Sequence, residues 1–345
     1  MSKPKSIIFA ILAAAFYAIN VPLSKVLLSH VGETTMAALL YLGAGVGIGM
    51  LSLFNKKDVQ SSEKLTKSDL PYVIGMIVLD IAAPILLMLG ISRGSSANAS
   101  LLGNFEIVAT TVIALAVFRE AVSKRLWFAI ALITLSSIIL SFEGTDSFKF
   151  SYASLFVLAA AACWGLENNC TRKISSKSTY QIVILKGGFS GLGALAIALI
   201  KRETFPGLGY IAVALALGFV AYGLSIFLYV RAQSTLGAAK TSAYYAVAPF
   251  IGAFLSFVFL REKLSWTYLV ALVVMIFGAV LVVIDTLKHE HSHLHAHTFI
   301  HTHDDSTHTH TVTHEHCHNH YLTENKHTHS HSIQELECAL NTNDQ

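Results

Sequence analysis

The sequence has few charged residues for its length. Only 13% of its 345 residues are Asp, Glu, Lys or Arg, while 54% are apolar and the mean hydropathy is +0.58. This composition excludes a soluble enzyme, a secreted scaffold and a fibrous protein. The net charge of +3 is spread over short clusters between apolar runs, so it gives no basis for nucleic-acid binding.

Cysteines and catalytic motifs are also scarce. The four cysteines, at positions 163, 170, 317 and 338, do not form the pattern of a disulfide framework. No phosphate-binding loop of the form GxxxxGK[ST] is present, which argues against ATP-driven chemistry. Too few histidines and carboxylates fall at one depth for an integral-membrane enzyme, so that class is the weaker alternative and no cofactor is required.

Long apolar runs are what the sequence has in quantity. A helix that crosses a bilayer needs roughly 20 mostly apolar residues. Ten runs meet this length, at about residues 7–28, 34–54, 70–90, 95–118, 126–142, 152–171, 179–200, 209–230, 236–260 and 266–285. The sequence therefore predicts an all-α polytopic membrane protein with ten transmembrane helices, whose surroundings are the lipid bilayer.

The distribution of Lys and Arg predicts the orientation of these spans. Fourteen of them lie beside the membrane face that holds the amino terminus, and seven lie beside the opposite face. Cytoplasmic loops carry the excess of positive charge. We therefore expect a multi-pass protein of the plasma (cell inner) membrane with both termini in the cytoplasm.

The two halves of the membrane region resemble each other. LLGNFEIVATTVIALAVFRE aligns without gaps on AYYAVAPFIGAFLSFVFLRE, which pairs Glu120 with Glu262, and YAINVPLSK aligns on WGLENNCTR, which pairs Asn20 with Glu167. Five spans per half is an odd number, so the second half must enter the membrane inverted relative to the first. The predicted units are residues 1–145, residues 146–285 and a polar tail at 286–345.

These motifs resemble a known family. SLLGNFEIVATTVIALAVFRE, WGLENNCTRK, YGLSIFLYVRA and YYAVAPFIGA are similar to segments of the EamA family of the drug/metabolite transporter superfamily, and together with the tail they resemble a prokaryotic subgroup with a His-rich C-terminus. The resemblance implies a ten-helix secondary transporter with a central cavity between its halves. It implies no particular cargo.

Ionisable and polar side chains inside the apolar spans are candidates for the transport pathway. Placing a charge in hydrocarbon costs about 2.5–3.5 kcal/mol on insertion scales, so each suggests a partner, a wet cavity or a function. The candidates for a substrate or proton pathway are Asn20, Asp80, Asn104, Glu106, Trp164, Glu167, Asn168, Lys186, Tyr244 and Tyr245. Glu106 is the leading one, as a cargo ligand or proton carrier, although a carboxyl that only ties helices together is the alternative. Lys186 could pair with Glu106 or Asp80.

The tail holds sixteen of the seventeen histidines, many of them in H-x-H form. Imidazole is a good ligand for Zn, Ni, Co and Cu, so the tail predicts a metal-binding segment. The candidate ligands are His289, His291, His293, His295, His297, His301, His303, His308, His310, His314, His316, Cys317, His318 and His320. Such a composition cannot build a packed core, so we expect disorder in the absence of metal.

Two transport functions remain open from the sequence. In the first, the membrane region carries a small organic metabolite by alternating access; in the second, it carries a transition-metal ion that the tail collects. The apolar spans contain few potential metal ligands, which favours the organic cargo. The expected partners are the bilayer and a small-molecule or ion substrate, in a monomer or homodimer without nucleic acid.

Overall fold

The computed structural model describes residues 3–54, 63–118, 123–143, 149–174, 177–236, 241, 244–262, 265–303 and 306–321. The chain divides into two compact units, Met1–Asp285 and Thr286–Gln345. The described part of the first unit consists almost entirely of helices, as the composition predicts.

The helices follow one another with short connections. Those of the first half are α1 (Lys3–Ala18), α2 (Asn20–Leu27), α3 (Glu33–Phe54), α4 (Leu70–Arg93), α5 (Ser96–Leu102), α6 (Phe105–Phe118) and α7 (Lys124–Leu140). Two short strands, β1 (Phe142–Glu143) and β2 (Lys149–Phe150), pair antiparallel between the halves. The second half contains α8 (Tyr152–Ile174), α9 (Thr179–Ile200), α10 (Leu208–Gly218), α11 (Ser225–Leu236), α12 (Ala248–Leu260) and α13 (Trp266–Leu287), with a π-helical turn at Phe219–Leu224 between α10 and α11.

Six helical segments among the described residues are long and apolar enough to cross a membrane. They are Pro4–Leu27, Glu33–Phe54, Lys67–Arg93, Thr179–Ile200, Leu208–Ala232 and Trp266–Asp285. Each coincides with one of the ten predicted spans. The other four predicted spans correspond to α7, α8, the region of α5 and α6, and the region of α12. In these places the helix is short, is interrupted or carries polar residues at its end. The count of ten therefore stays a prediction.

Side-chain caps fix several helix ends. The hydroxyl of Ser95 accepts a hydrogen bond from the backbone N–H of Asn98 at the start of α5, and the hydroxyl of Ser123 does the same for Leu126 in α7. Pro84 lies inside α4 without ending that helix.

Helices from different sequence halves pack against each other. The most extensive helix contacts join α3 to α9 and α4 to α8, and α1 packs mainly on α11. Glycine permits the closest of these approaches: a Cβ atom added to Gly45 of α3 would lie 2.7 Å from the backbone nitrogen of Gly188 in α9. The sequence halves are consequently interleaved in space, and their helices share one hydrophobic core.

Large apolar side chains also cover the outside of this unit. Phe54, Phe254, Trp266 and Phe277 are each more than 60% exposed. A soluble protein rarely exposes large apolar patches, whereas a helix bundle in lipid places such side chains against acyl chains. The outer surface therefore fits a membrane environment.

Over residues 288–321 the backbone of the tail forms a two-stranded hairpin. Strand β3 (Lys288–His303) pairs antiparallel with β4 (Ser306–Tyr321). The sequence explains this hairpin, because H-x-H spacing has the period of two that a strand requires, and Thr and Val at intervening positions favour extended backbone. The disorder expected in the absence of metal stays a prediction.

Candidate functional site

A buried lysine joins two acids at the centre of the first unit. The Nζ atom of Lys186 in α9 lies 3.2 Å from Oδ2 of Asp80 in α4 and 3.0 Å from Oε1 of Glu167 in α8. The three residues are at most 8% exposed. The contact to Asp80 is an ion pair without well-directed hydrogen-bond geometry. Three helices, one from the first half and two from the second, are thereby tied by charge.

Further polar groups hold these two carboxylates. The hydroxyl of Tyr41 in α3 donates to Oδ1 of Asp80 at 2.8 Å, and the hydroxyl of Thr171 donates to Glu167 one turn along α8. The indole Nε1 of Trp164 approaches the Tyr41 hydroxyl at 3.5 Å. Both acids therefore have a hydrogen-bond donor besides the ammonium group, as buried charges require.

An aromatic cluster extends from Tyr41 away from the lysine. The Tyr41 and Tyr222 ring centroids are 5.1 Å apart, and Tyr17 lies 5.9 Å from Tyr222 and 6.0 Å from Tyr245. The Tyr222 hydroxyl accepts a hydrogen bond from Nδ2 of Asn20 at 3.1 Å. Tyr222 belongs to the π-helical turn of the second half, and its ring contacts Tyr17 of α1 and Tyr41 of α3 in the first half.

Glu106 lies in a second polar group close to the first. Its Oε1 accepts a hydrogen bond from Nδ2 of Asn168 at 2.6 Å, and the same amide nitrogen lies 3.4 Å from the hydroxyl of Thr110. The neighbouring Asn169 donates instead to the backbone carbonyls of Thr110 and Gly165. Glu106 is held by an amide and not by an ammonium group in the described structure, so its charge is the least compensated of the three carboxylates.

Two helix interruptions fall beside these residues. The backbone turns at Gly103–Asn104, between α5 and α6, and again at Ala246–Val247, immediately before α12. Glu106 occupies the first turn of α6, and Oδ1 of the buried Asn104 has no hydrogen-bond partner among the described residues. In membrane transporters, interrupted helices expose backbone groups at substrate sites.

Two further carboxylates cap helices at a face of the unit; we call them the helix clamps. The first is Glu203, between α9 and α10. It accepts hydrogen bonds from the backbone N–H groups of Thr34 and Thr35 at 3.3 and 2.8 Å, from the Thr35 hydroxyl at 2.9 Å, and from Lys201 at 2.9 Å. Partial burial raises the pKa of Glu203, but these donors outweigh it and lower the pKa to about 2.

The second helix clamp is Glu262, which follows α12. Its Oε2 accepts hydrogen bonds from the hydroxyl of Ser95 at 2.6 Å and the backbone N–H of Ala97 at 3.0 Å, and its Oε1 accepts one from Ser96 at 2.8 Å. Both clamps therefore come from the second half and cap helices of the first half, α3 and α5.

The structure brings together most of the residues that the sequence singled out. Asp80, Glu167 and Lys186 form one cluster, and Glu106 and Asn168 form the adjoining pair. The aromatic cluster includes Tyr245 and contacts Asn20 and Trp164. Asn104 is buried two residues before Glu106. Tyr244 lies next to Tyr245 in helical backbone and is half-buried. Lys186 pairs with Asp80, one of the two expected partners, and with Glu167 in place of Glu106.

Several contributing residues carried no clear sequence signal. Tyr17, Tyr41 and Tyr222 are tyrosines within apolar spans, where most tyrosines serve packing. Thr171 lies one helical turn after Glu167, at position i+4, which is the spacing that could have identified it.

The predicted metal ligands of the tail lie in its hairpin. All fourteen have their backbone in β3 or β4, and their side chains lie outside the described part of the chain. The strand register places histidine opposite histidine at five positions: His289–His320, His291–His318, His293–His316, His295–His314 and His301–His308.

Comparison with known proteins identifies relatives of the membrane unit. The model of the EamA-like transporter family matches residues 4–142 and 151–284. An uncharacterized transporter of Methanothermobacter thermautotrophicus (strain ATCC 29096 / DSM 1053 / JCM 10044 / NBRC 100330 / Delta H) is 25% identical over 287 residues, which cover 78% of this chain and 83% of the relative. A solved structure described only as the crystal structure of a protein superposes with a TM-score of 0.60 at 15% identity, over 81% of this chain and 96% of that one, and shares its fold.

Proposed function

Because the chain belongs to the EamA-like transporter family and is a multi-pass membrane transporter, we propose that it carries a small organic metabolite across the plasma membrane by alternating access. The observation that carries this proposal is the buried charge cluster of Asp80, Glu167 and Lys186 beside Glu106. Charges at this depth are costly, and in membrane proteins they mark substrate or ion pathways. The cluster joins helices of both sequence halves. A transport site between two halves that move relative to each other requires such a position.

The proposed topology is two inverted five-helix repeats, residues 1–145 and 146–285, with ten spans and both termini in the cytoplasm. The two separate segments that match the family model support it. So do the helix interruptions, because the internal alignment sets Asn104 opposite Ala246, and the backbone turns at both positions. Matched interruptions in two halves are typical of inverted-repeat transporters.

The helix clamps support alternating access in particular. In the proposed topology Glu203 and Glu262 follow the seventh and ninth spans and lie at one membrane face. Each bonds the first half across to the second, so in the proposed mechanism the two clamps would hold this face closed. Opening it would require both carboxylates to leave the helix N-termini that they cap, and those N–H groups would then need water.

We expect Glu203→Gln to lower the free energy of unfolding by about 0.3–2 kcal/mol at pH 7, because Gln keeps an accepting oxygen but loses the negative charge that stabilises the N-terminus of α3 and pairs with Lys201. The depressed pKa of Glu203 means that its contribution is complete above about pH 4.5 and is lost as the pH falls towards 2. Thermal unfolding of both proteins in detergent should therefore converge at low pH.

The matched control is Glu63→Gln. Glu63 forms an exposed ion pair with Lys177, 3.1 Å long, whose loss should cost at most about 1 kcal/mol. If the difference in thermal stability between wild type and Glu203→Gln is as large at pH 2 as at pH 7, the charge of Glu203 does not contribute to this helix clamp.

The tail favours a second candidate, transport of a transition-metal ion. Its observation is the register that sets five histidine pairs opposite each other, because imidazole is a ligand for Zn, Ni, Co and Cu. Among the described residues, whose side chains do not include those of the tail, no three His, Cys, Asp or Glu side chains are arranged so that they could hold a metal ion. The membrane unit thus offers no matching pathway, and we rank the organic cargo first.

One experiment separates the two cargoes. Cells producing the full chain or residues 1–285 are compared with vector cells by untargeted metabolite profiling and by metal analysis. We expect both forms to insert and to redistribute the same organic compounds, because the membrane unit is compact without the tail. Metal should co-purify with the full chain only. Redistribution of metal alone, or failure of the shortened chain to insert, would contradict the proposal.

A further inference from the structure

Among the described residues, which do not include Lys240, the buried site holds more carboxylates than ammonium groups. Asp80, Glu106 and Glu167 are three carboxylates, and Lys186 is the ammonium group in ion-pair contact with this cluster among the described residues. When all four are ionised the sum is minus two. A net charge of that size in the membrane interior must be balanced, since each uncompensated charge costs several kcal/mol.

The lysine is not available to a ligand. Both of its ion pairs are made, at 3.2 and 3.0 Å, and the residue is 8% exposed. Lys25 of α2 is engaged elsewhere, because its Nζ donates to the backbone carbonyls of Ile91 and Gly94 at the end of α4. An anionic cargo would therefore have to displace an internal carboxylate, whereas a cationic cargo would complete the charge balance.

Aromatic rings stand beside the excess carboxylate. Glu106 is bonded to Asn168, which lies one helical turn after Trp164 on α8, and Trp164 approaches Tyr41 at 3.5 Å. The ring of Tyr41 belongs to one cluster with those of Tyr17, Tyr222 and Tyr245. The face of an aromatic ring attracts cations, and this attraction reaches about 2 kcal/mol when the cation is desolvated. Rings together with an uncompensated carboxylate make a setting suited to an organic ammonium group.

We propose that this site recognises an organic cation, with an amine or quaternary ammonium group placed between Glu106 and the tyrosine cluster. The inference rests on the proposed transport function and names its class of cargo. It also assigns roles: Glu106 supplies the charge, Tyr17, Tyr222 and Tyr245 supply ring faces, and the Asp80–Lys186–Glu167 cluster holds the helices that carry them.

The structure provides a reporter for the test. Trp164 is 9% exposed and contacts Tyr41, whereas Trp127 and Trp266 are 47% and 82% exposed. In a full-length Trp127→Phe, Trp266→Phe background, the remaining indole fluorescence therefore reports on the site. The probe is phenyltrimethylammonium, compared with benzoate as an anion and benzyl alcohol as a neutral compound of similar size.

We expect phenyltrimethylammonium to change the Trp164 fluorescence saturably and the other two compounds not to do so. Glu106→Gln should weaken the binding at least about 10-fold, as loss of a charged contact implies. Tyr222→Leu should weaken it roughly 2- to 10-fold through loss of a ring face. The control Glu63→Gln, at the exposed ion pair, should bind like the parent.

Other results would overturn the proposal. The first is that benzoate binds as tightly as the cation. The second is that both site variants, while eluting as folded protein on size exclusion, bind the cation with unchanged affinity. The third is that ZnCl₂ displaces the probe more effectively than tetramethylammonium does. Saturable binding without flux of any compound in proteoliposomes would refute the transport function and leave this inference standing. Flux of an anionic metabolite without cation binding would refute this inference and leave the transport function standing.

Discussion

Replacing Glu106 by Gln should reduce transport roughly 10- to 150-fold while the protein remains folded and inserted. This range corresponds to the loss of an interaction with a charged group, about 1.5–3 kcal/mol. Gln keeps an oxygen that can accept the hydrogen bond from Asn168, so the packing of α6 against α8 should persist. The measurement is the redistribution of metabolites that depends on the wild-type protein, compared at equal amounts in the membrane.

Glu33→Gln is the control for this result. Glu33 pairs with Arg93 at 3.1 Å near the start of α3, outside the site, and its side chain is 28% exposed. We expect its transport to stay near the wild-type level. If Glu106→Gln transports as well as this control at every pH between 5 and 9, Glu106 is a structural residue, and the proposed pathway is wrong.

Replacing Lys186 by Met should destabilise the protein by about 3–5 kcal/mol, the usual cost of removing one partner from a buried ion pair. The substitution leaves the carboxylates of Asp80 and Glu167 facing each other without the cation that lies between them. Thermal unfolding of detergent-purified protein measures the loss, and the yield of monodisperse protein should fall in parallel.

A triple variant separates charge balance from the loss of the lysine side chain. Lys186→Met combined with Asp80→Asn and Glu167→Gln removes all three charges, and well-packed neutral replacements of a buried charge group are often neutral or stabilising. We therefore expect it to recover most of the stability. Lys177→Met, at a surface ion pair, should cost at most about 1 kcal/mol. A single Lys186→Met variant as stable as Lys177→Met would show that the cluster does not bind the helices together.

The sequence was most informative where a residue was out of place. Asp80, Glu106, Glu167 and Lys186 are conspicuous because hydrocarbon penalises charge, and this needs no knowledge of the packing. Their partners could not be deduced in the same way. Whether Lys186 meets Asp80, Glu106 or Glu167 depends on how α4, α6, α8 and α9 are rotated and how deep each lies, which apolar helices with little amphipathic character do not specify.

Helix ends and interruptions were harder to predict. The apolar run at 95–118 reads as one span, yet the backbone turns at Gly103–Asn104, within a stretch whose composition changes little. The helix clamps were missed for another reason. Glu203 and Glu262 lie in connections, where a carboxylate is ordinary, and their role depends on helices more than 160 residues away in sequence. Such contacts arise only from the tertiary arrangement.

The ion pair between Asp80 and Lys186 also constrains how the protein is made. Lys186 is 106 positions after Asp80 (186 − 80), so at 5–20 residues per second the ribosome delivers it on the order of 5–20 s later. During that interval α4 must enter the bilayer with an acid whose cation has not been synthesised. The apolar residues of α4 must offset this cost of about 2.5–3.5 kcal/mol. Membrane insertion thus requires α4 to be more hydrophobic than the finished bundle requires. A nascent chain stalled before α9 would present Asp80, without its lysine partner, to membrane quality control.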